Sequence, residues 1–525
     1  MFLPYHEVLK QDRTTTKLRI VFGGSAKSNY SISLNECLYK GSKLLNDLTG
    51  MLLKFRIGSI AMTCDLEEAF LQIGIKEVNR DYLKFLWIEN EEMKSYRFKR
   101  LPFGLSCSPF ILNATIKFHC DMFKTDIFKN FYVDDFVYTG DDVTSLSKMA
   151  KDTVRLMELA GFNLRKWSSN SEALSNSDLF KLADNSEKTH SVLGILWSPK
   201  TDSISLKYEP VMPNTEILTK RMILSILSKV FDPLGLYIPS TIRFRWLFSK
   251  VVTAVPDWDS PLLNDHQEEV RNLLKEHEEI SNHCIKRCLC PKNLTRYRLH
   301  IFSDASGIAY GACAYIEYER MDETKPPQLR LLRARAKIVK KGENTIPRLE
   351  LAATIIGIRL FQDISSCDPF FENIEPVFWT DSMASLKWIQ GTKQWPTFVE
   401  NRVMIIRKLN LTRNFHYICS EANPADLLTR GLSFKKLRES ELWWNGPGYN
   451  FIDLTDFLES PKMFKLTCEE DIFIDFSRFS SLRKLVNTMH YIVRFVNHTR
   501  GIMQTFDFDK CLTNIIKIDQ EHYFS

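Results

Sequence analysis

Long apolar runs are missing from this 525-residue chain, and no segment approaches the roughly 18 consecutive apolar residues of a membrane span. The opening MFLPYHEVLKQDR lacks the basic-then-apolar order of a signal peptide, so neither export nor membrane insertion is expected. No CxxC pair occurs. The 12 cysteines are scattered, which excludes a disulfide framework and fits reduced thiols in a cytoplasmic protein. The tightest group, His283, Cys284, Cys288 and Cys290, has no common zinc spacing and reads as ordinary loop thiols. Internal repeats and low-complexity tracts are also lacking. So is a surplus of one charge: 70 basic against 64 acidic residues leave +6, too little to mark a polyanion-binding protein by total charge alone.

What is present is an average globular composition, 44% hydrophobic and 26% charged, in a chain long enough for three or four domains. The basic residues are unevenly placed. Residues 1 to 61 hold nine Lys/Arg against four acids, residues 328 to 348 hold seven against one, and residues 401 to 440 hold eight against three. Three basic stretches in a nearly balanced chain suit a phosphate backbone running along it, although any one of them alone is as easily a solvated face. Residues 1 to 200 alternate strand-like runs with helical stretches. Around 216 to 230, Ile223, Ile226, Leu227 and Val230 fall on one helical face. From Arg298 the order of hairpin, helix, strand and helix predicts a separate α/β domain.

Two sets of acids carry the chemistry. Asp65 ends the apolar strand SIAMTCD, and Asp134 and Asp135 sit in NFYVDDFVYTG, two strand-prone arms around an acidic pair that read as a hairpin turn. Three carboxylates converging from separate strands would repel strongly without cations, and two Mg²⁺ ions are the usual solution. In LPFG, Gly104 allows a turn and close backbone approach. Further on, Asp304 lies in the strand IFSDAS, Glu350 opens a helix, Asp381 ends the strand VFWTD, and Asp426 follows an Asn-Pro. Four acids at strand tips and helix starts can again gather two Mg²⁺ ions, here to activate water.

The ordered phrases TCDLEEAFLQI, LPFGLSCSPF, FYVDDFVY, LRKW and LGILW resemble the successive palm motifs of retroelement reverse transcriptases. That resemblance implies that Asp65, Asp134 and Asp135 are the metal-holding triad and that Phe70 is the aromatic gate against a ribose 2′-hydroxyl. Phe103 stands where retroviral enzymes carry Gln, Lys166 resembles the lysine near the departing pyrophosphate, and LGILW looks like the primer-grip hairpin, to which no chemistry is assigned. TKLRIVF resembles the fingers strand whose Arg19, with Lys17, reaches the triphosphate. The later acids resemble those of ribonuclease H, least securely at Asp426. His416 reads as structural, and the run 328 to 348 as hybrid-binding.

KVFDPLGLYIPSTIRFR, IPRLELAA, FWTDSMASLKWI and EANPADLLTRG closely resemble the Pol polyprotein of BEL/Pao LTR retrotransposons. The implied fold is an α+β right-hand polymerase (fingers, palm, thumb) followed by an α/β ribonuclease H-like domain. The expected divisions are 1–200 fingers and palm, truncated at the amino terminus; 201–297 thumb and connection; 298–440 ribonuclease H-like; and 441–525 a helical linker toward a missing integrase. Gly23-Gly24 replaces the family's usual Asp-Ala and is expected to loosen the fingers. The implied activity is RNA-directed DNA synthesis with RNA-strand hydrolysis, using Mg²⁺, two per site, with Mn²⁺ as a substitute. Implied partners are an RNA template, a DNA primer, an RNA–DNA hybrid, deoxynucleoside triphosphates, and other Pol domains or a second copy, with no membrane. The alternatives are a catalytically inactive Pol remnant that only binds nucleic acid, and a chain with nuclease activity alone.

Overall fold

A computed structural model describes residues 2–9, 18–27, 31–176, 189–208, 217–289, 294–320, 327–340, 342 and 345–448. Lys17 lies outside the described residues, as do Cys290, the side chain of Arg19, and residues 449–525 of the expected linker. No helix among the described residues is long and apolar enough to cross a membrane.

The amino-terminal strands β1 (Tyr5–Leu9) and β2 (Leu18–Phe22) pair antiparallel. Helix α1 (Leu48–Phe55) starts at Asp47, whose carboxylate accepts from the Gly50 N–H. It leads to β3 (Ile60–Leu66), an apolar strand buried at every position but Asp65. The hairpin β4 (Lys84–Glu89) and β5 (Glu92–Arg97) follows. After it come α2 (Ser108–Met122), β6 (Phe131–Tyr132), β7 (Asp135–Gly140), α3 (Val143–Leu159) and β8 (Leu164–Ser169). These four strands form an antiparallel sheet in the order β6-β7-β3-β8.

The sheet is held flat against its helices by pattern. In α3, Leu146, Ala150, Thr153 and Met157 recur every three or four residues and are buried, and Asp142 caps the first turn through the Ser145 N–H. Leu146, Ala150 and Met157 join Met62, Phe131, Phe136 and Trp167 in one core. A second core, with Leu3, Phe22, Leu83, Leu101 and Leu105, sits under the amino-terminal strands. Phe70 packs against both.

Strands β9 (His190–Val192), β10 (Ile195–Ser198) and β11 (Ser203–Leu206) form the next sheet. Helices α4 (Lys220–Ser228), α5 (Ile238–Ala254) and α6 (Asn264–His277) then share a core of their own. As the periodicity requires, Ile223 and Ile226 of α4 are buried. The strand β12 (Ile285–Lys286) returns to pair with β11.

The last unit is a five-stranded sheet of β13 (Leu294–Ala305), β14 (Ala309–Arg320), β15 (Gln328–Ile338), β16 (Glu375–Thr380) and β17 (Phe415–Tyr417), ordered β15-β14-β13-β16-β17. The first three strands are antiparallel; β16 runs parallel to β13, and β17 to β16. Helix α7 (Ile346–Ser365) crosses between β15 and β16, approaching closely where Gly357 faces Ile301 and Ala312. Helices α8 (Met383–Gln390), α9 (Thr397–Lys408) and α10 (Pro424–Arg430) complete it.

Buried arginines tie the segment between α1 and β3 to its neighbours, Arg56 to the last unit and Arg287, just after β12, to the preceding sheet. Arg56 donates from Nη1 to the Leu331 and Leu332 carbonyls at 3.1 and 3.3 Å. Arg287, fully buried, pairs with Asp202 at 2.6 and 2.8 Å and donates to the Phe55, Gly58 and Ser59 carbonyls. Every nitrogen of that guanidinium is therefore bonded, which makes its burial tolerable. Removing one partner of such a pair costs about 3–5 kcal/mol.

Candidate active site

The antiparallel register of β3 and β7 places Asp65 directly opposite Asp135. Asp134 precedes Asp135 in the tight turn from β6, so the acidic pair does form a hairpin tip. The turn puts Val133, a β-branched residue, at φ 57°, a conformation that costs about 1–3 kcal/mol and that accumulates at functional sites. Ligand atoms of Asp65, Asp134 and Asp135 all lie within 4.8 Å of one another. Among the described residues this is the one group of acids, histidines or cysteines that close.

Burial pushes the Asp135 carboxyl up to about 7, and the charges of Asp134 and Asp65 add to it; the Leu193 N–H and Lys166 pull the other way. Lys166 lies at φ 56° on β8 and its ammonium donates to Asp65 at 2.8 Å. Leu193 belongs to the β9–β10 turn, in the LGILW segment, whose residues carry no chemical group that would assign it a role. The turn's backbone nonetheless reaches the acidic cluster.

Phe70 and Phe103 meet edge-to-face with ring centroids 5.1 Å apart. Gly104 adopts φ 99°, and a Cβ there would fall 1.9 Å from the Phe22 carbonyl oxygen. Only glycine fits that turn. Asn35 clasps it, donating to the Gly104 carbonyl at 3.0 Å and accepting from the Ser106 N–H at 2.8 Å. Gly24 lies against the same carbonyl, where a Cβ would come within 2.8 Å. The second glycine of Gly23-Gly24 is thus part of a close-packed turn, rather than a looseness in the fingers. Asn35 carried no motif and was not legible in advance.

The second set of acids comes together at the carboxyl ends of β13 and β16. Asp304, on β13, is 5% exposed and accepts from the Thr429 hydroxyl of α10. Burial pushes it up to about 6, against the Thr429 hydrogen bond and with help from Asp381 and Asp426. Glu350 of α7 accepts from the Ser382 hydroxyl; burial raises it, opposed by that bond and aided by Asp381. Asp381 follows β16 and accepts at Oδ2 from Ser420 at 2.7 Å, while its Oδ1 is buried with no hydrogen-bond partner among the described residues. Asp426 is paired with Arg430 one turn along α10. The four acids influence one another but are not gathered as tightly as the first three.

Both sets offer only carboxylate oxygens, which suits a hard divalent cation over zinc or copper. The orphaned Oδ1 of Asp381 and the raised Asp135 and Asp304 are what such a cation would relieve. His416 sits on β17 beside Trp379, and burial lowers it. Three arginines of the basic run from 328 are engaged internally: Arg330 bonds Asn445, and Arg333 and Arg335 both bond Asp363.

Residues 43–167 match the family described as reverse transcriptase (RNA-dependent DNA polymerase), and residues 219–382 match the Pao retrotransposon-like RNaseH-like domain. The second match runs across the division expected at 297. No curated protein matches the sequence. Among solved structures, the foamy viral protease-reverse transcriptase dRH in complex with ds DNA is 16% identical with a TM-score of 0.52, over 79% of this chain and 65% of that one. The foamy viral protease-reverse transcriptase in complex with dsDNA is 18% identical with a TM-score of 0.50, over 80% and 78%. The same foamy viral protein with RNA/DNA hybrid is 15% identical, TM-score 0.49, over 79% and 50%. The chain thus spans about two thirds of the first of these and half of the last. At such identities the likeness is one of fold, a right-hand polymerase followed by an RNase H-like unit. The two family matches, in this order, are those of the reverse transcriptase and RNase H-like region of a Pao-type retrotransposon Pol.

Proposed function

We propose that this chain is an RNA-directed DNA polymerase with ribonuclease H activity. The observation that carries the reading is the convergence of Asp65, Asp134 and Asp135 within 4.8 Å from facing strands and one turn. These three would hold two Mg²⁺ ions, or Mn²⁺, and Asp304, Glu350, Asp381 and Asp426 a second pair. Bound there, such ions supply Lewis acidity and charge neutralisation at the attacking and leaving oxygens of a phosphodiester.

The chain's own residues do the rest. The edge-to-face Phe70 and Phe103 present a stiff aromatic wall that excludes a ribose 2′-hydroxyl and selects deoxynucleoside triphosphates. The bare Gly104 turn admits template or nucleotide at close range. Arg19, with Lys17, belongs at the triphosphate. Lys166, held beside Asp65, supplies positive charge and a proton to the departing pyrophosphate. The substrates are an RNA template, a DNA primer and the hybrid they produce. We assign 1–200 to fingers and palm, 201–297 to thumb and connection, 298–440 to the nuclease and 441–525 to a linker, with other Pol domains or a second copy as partners.

Primer extension on an RNA template with Mg²⁺ tests the reading. The native chain is expected to make DNA, and Asp134→Asn at least roughly 100-fold less. No DNA from the native chain, or equal synthesis by both, contradicts it.

A further inference from the structure

The three hydroxyls that meet the later acids are not equivalent. Those on Glu350 and Asp304 belong to Ser382 and Thr429, both buried residues. Ser420 is exposed, and its Oγ donates to Oδ2 of Asp381 at 2.7 Å. A carboxylate only accepts, so this hydroxyl has committed its one proton to that oxygen. The other oxygen, Oδ1, is buried with no hydrogen-bond partner among the described residues. A buried oxygen left bare costs on the order of 1–3 kcal/mol, unless something other than the polypeptide completes it.

Several contacts fix where Ser420 stands. Ile418, just past β17, donates its N–H at 3.2 Å to the carbonyl of Thr380, the residue before Asp381. Ser420–Ala422 then make one short turn of 3-10 helix, closed by the Asn423 N–H on the Ser420 carbonyl at 3.1 Å. Asn423 is fully buried; its Nδ2 donates to the Ser303 carbonyl at 3.2 Å, and its Oδ1 accepts from the Ala425 N–H at 3.1 Å where α10 begins. Ser303 precedes Asp304, and Ala425 precedes Asp426. The segment 418–426 is therefore bonded to the strand ends at both Asp304 and Asp381 before it supplies Asp426 itself. A serine on a backbone held in this way decides which oxygen of Asp381 the protein occupies.

We propose that Ser420 is a positioning residue of the later acidic group: by holding Oδ2 of Asp381, it leaves Oδ1 as the oxygen presented to a divalent cation. The inference rests on the nuclease reading for the cation, and its test separates the two. Mn²⁺ binding is measured by electron paramagnetic resonance in the full chain carrying Asp134→Asn and Asp135→Asn, so that the later acids are read alone. Adding Ser420→Ala is expected to weaken binding roughly tenfold, the low end for loss of a group that supports a metal ligand. Ser420→Thr, which keeps the hydroxyl, should weaken it less than about twofold. The thermal midpoint in EDTA should stay within about 1 °C in both, because an exposed bond contributes little to the fold. With the palm acids native, the Mg²⁺ needed for half-maximal cutting of a labelled hybrid should rise about tenfold in Ser420→Ala, while the rate at saturating Mg²⁺ falls less than about threefold. Equal Mn²⁺ binding with alanine and serine overturns the proposal, as does a threonine variant as weak as the alanine one. A midpoint in EDTA lowered in step with the loss of binding also overturns it, by reducing Ser420 to a part of the fold. No Mn²⁺ binding by the later acids with Ser420 in place removes the nuclease reading, and the proposal with it.

Discussion

The palm and the RNase H-like unit solve one problem, crowding carboxylates at a strand end, by different means. In the palm, Asp65, Asp134 and Asp135 face one another at ligand spacing, and one ammonium, that of Lys166, leans on Asp65. In the later unit each acid already has a donor from its own chain: Thr429 on Asp304, Ser382 on Glu350, Ser420 on Asp381 and Arg430 on Asp426. The first arrangement stores repulsion in the fold at the spacing of metal ligands; in the second, protein donors offset part of the repulsion, and Oδ1 of Asp381 is left buried without a partner among the described residues. Repulsion is tolerable only where the backbone over-determines it. Here the β3–β7 ladder and the strained turn at Val133 do so.

The largest expected difference is in stability without metal. The folded chain keeps a proton on Asp135 up to about pH 7, whereas an ordinary unfolded carboxylate has released it by about pH 4. Stability from this group therefore falls as pH rises between those values and is fully recovered below them. Asp135→Asn should raise stability in EDTA at pH 7.5 on the order of 2–4 kcal/mol and do nothing at pH 4. Asp304→Asn should gain less, because its carboxyl is pushed only to about 6. Thermal unfolding at the two pH values checks both, and a destabilised Asp135→Asn would break the contrast.

A smaller effect sharpens it. Lys166→Met and Arg430→Met each remove a cation from one acidic group. Each should tighten Mn²⁺ binding roughly threefold at its own group, the scale of a partly exposed ion pair, and leave the other group unchanged. Paramagnetic broadening by Mn²⁺ reads the two groups separately. Tightening at both groups by either variant would mean that they are not independent.

Much of this was legible in the residues. The strand end at Asp65, the acidic hairpin at Asp134 and Asp135, the glycine turn at Gly104 and the buried face of α4 each follow from a local pattern, and the structure shows them where the patterns put them. What stayed hidden depends on contacts distant in sequence. Asn35 clasps a turn about 70 residues away, Thr429 reaches Asp304 across 125 residues, and Leu193 meets Asp135 through its backbone, which side-chain identity does not record. The internal pairing of two arginines in the basic run from 328 was hidden for the same reason: Asp363, the partner of Arg333 and Arg335, lies on a different element.

The independence of the two groups is most directly read in one reaction. A labelled RNA template with a DNA primer, incubated with deoxynucleoside triphosphates and Mg²⁺, reports DNA made and RNA cut in the same tube. Asp135→Asn is expected to abolish extension while still cutting a preformed hybrid, and Asp304→Asn to abolish cutting while extending the primer as the native chain does. Loss of both activities in either variant, or of neither, would contradict two separate metal centres.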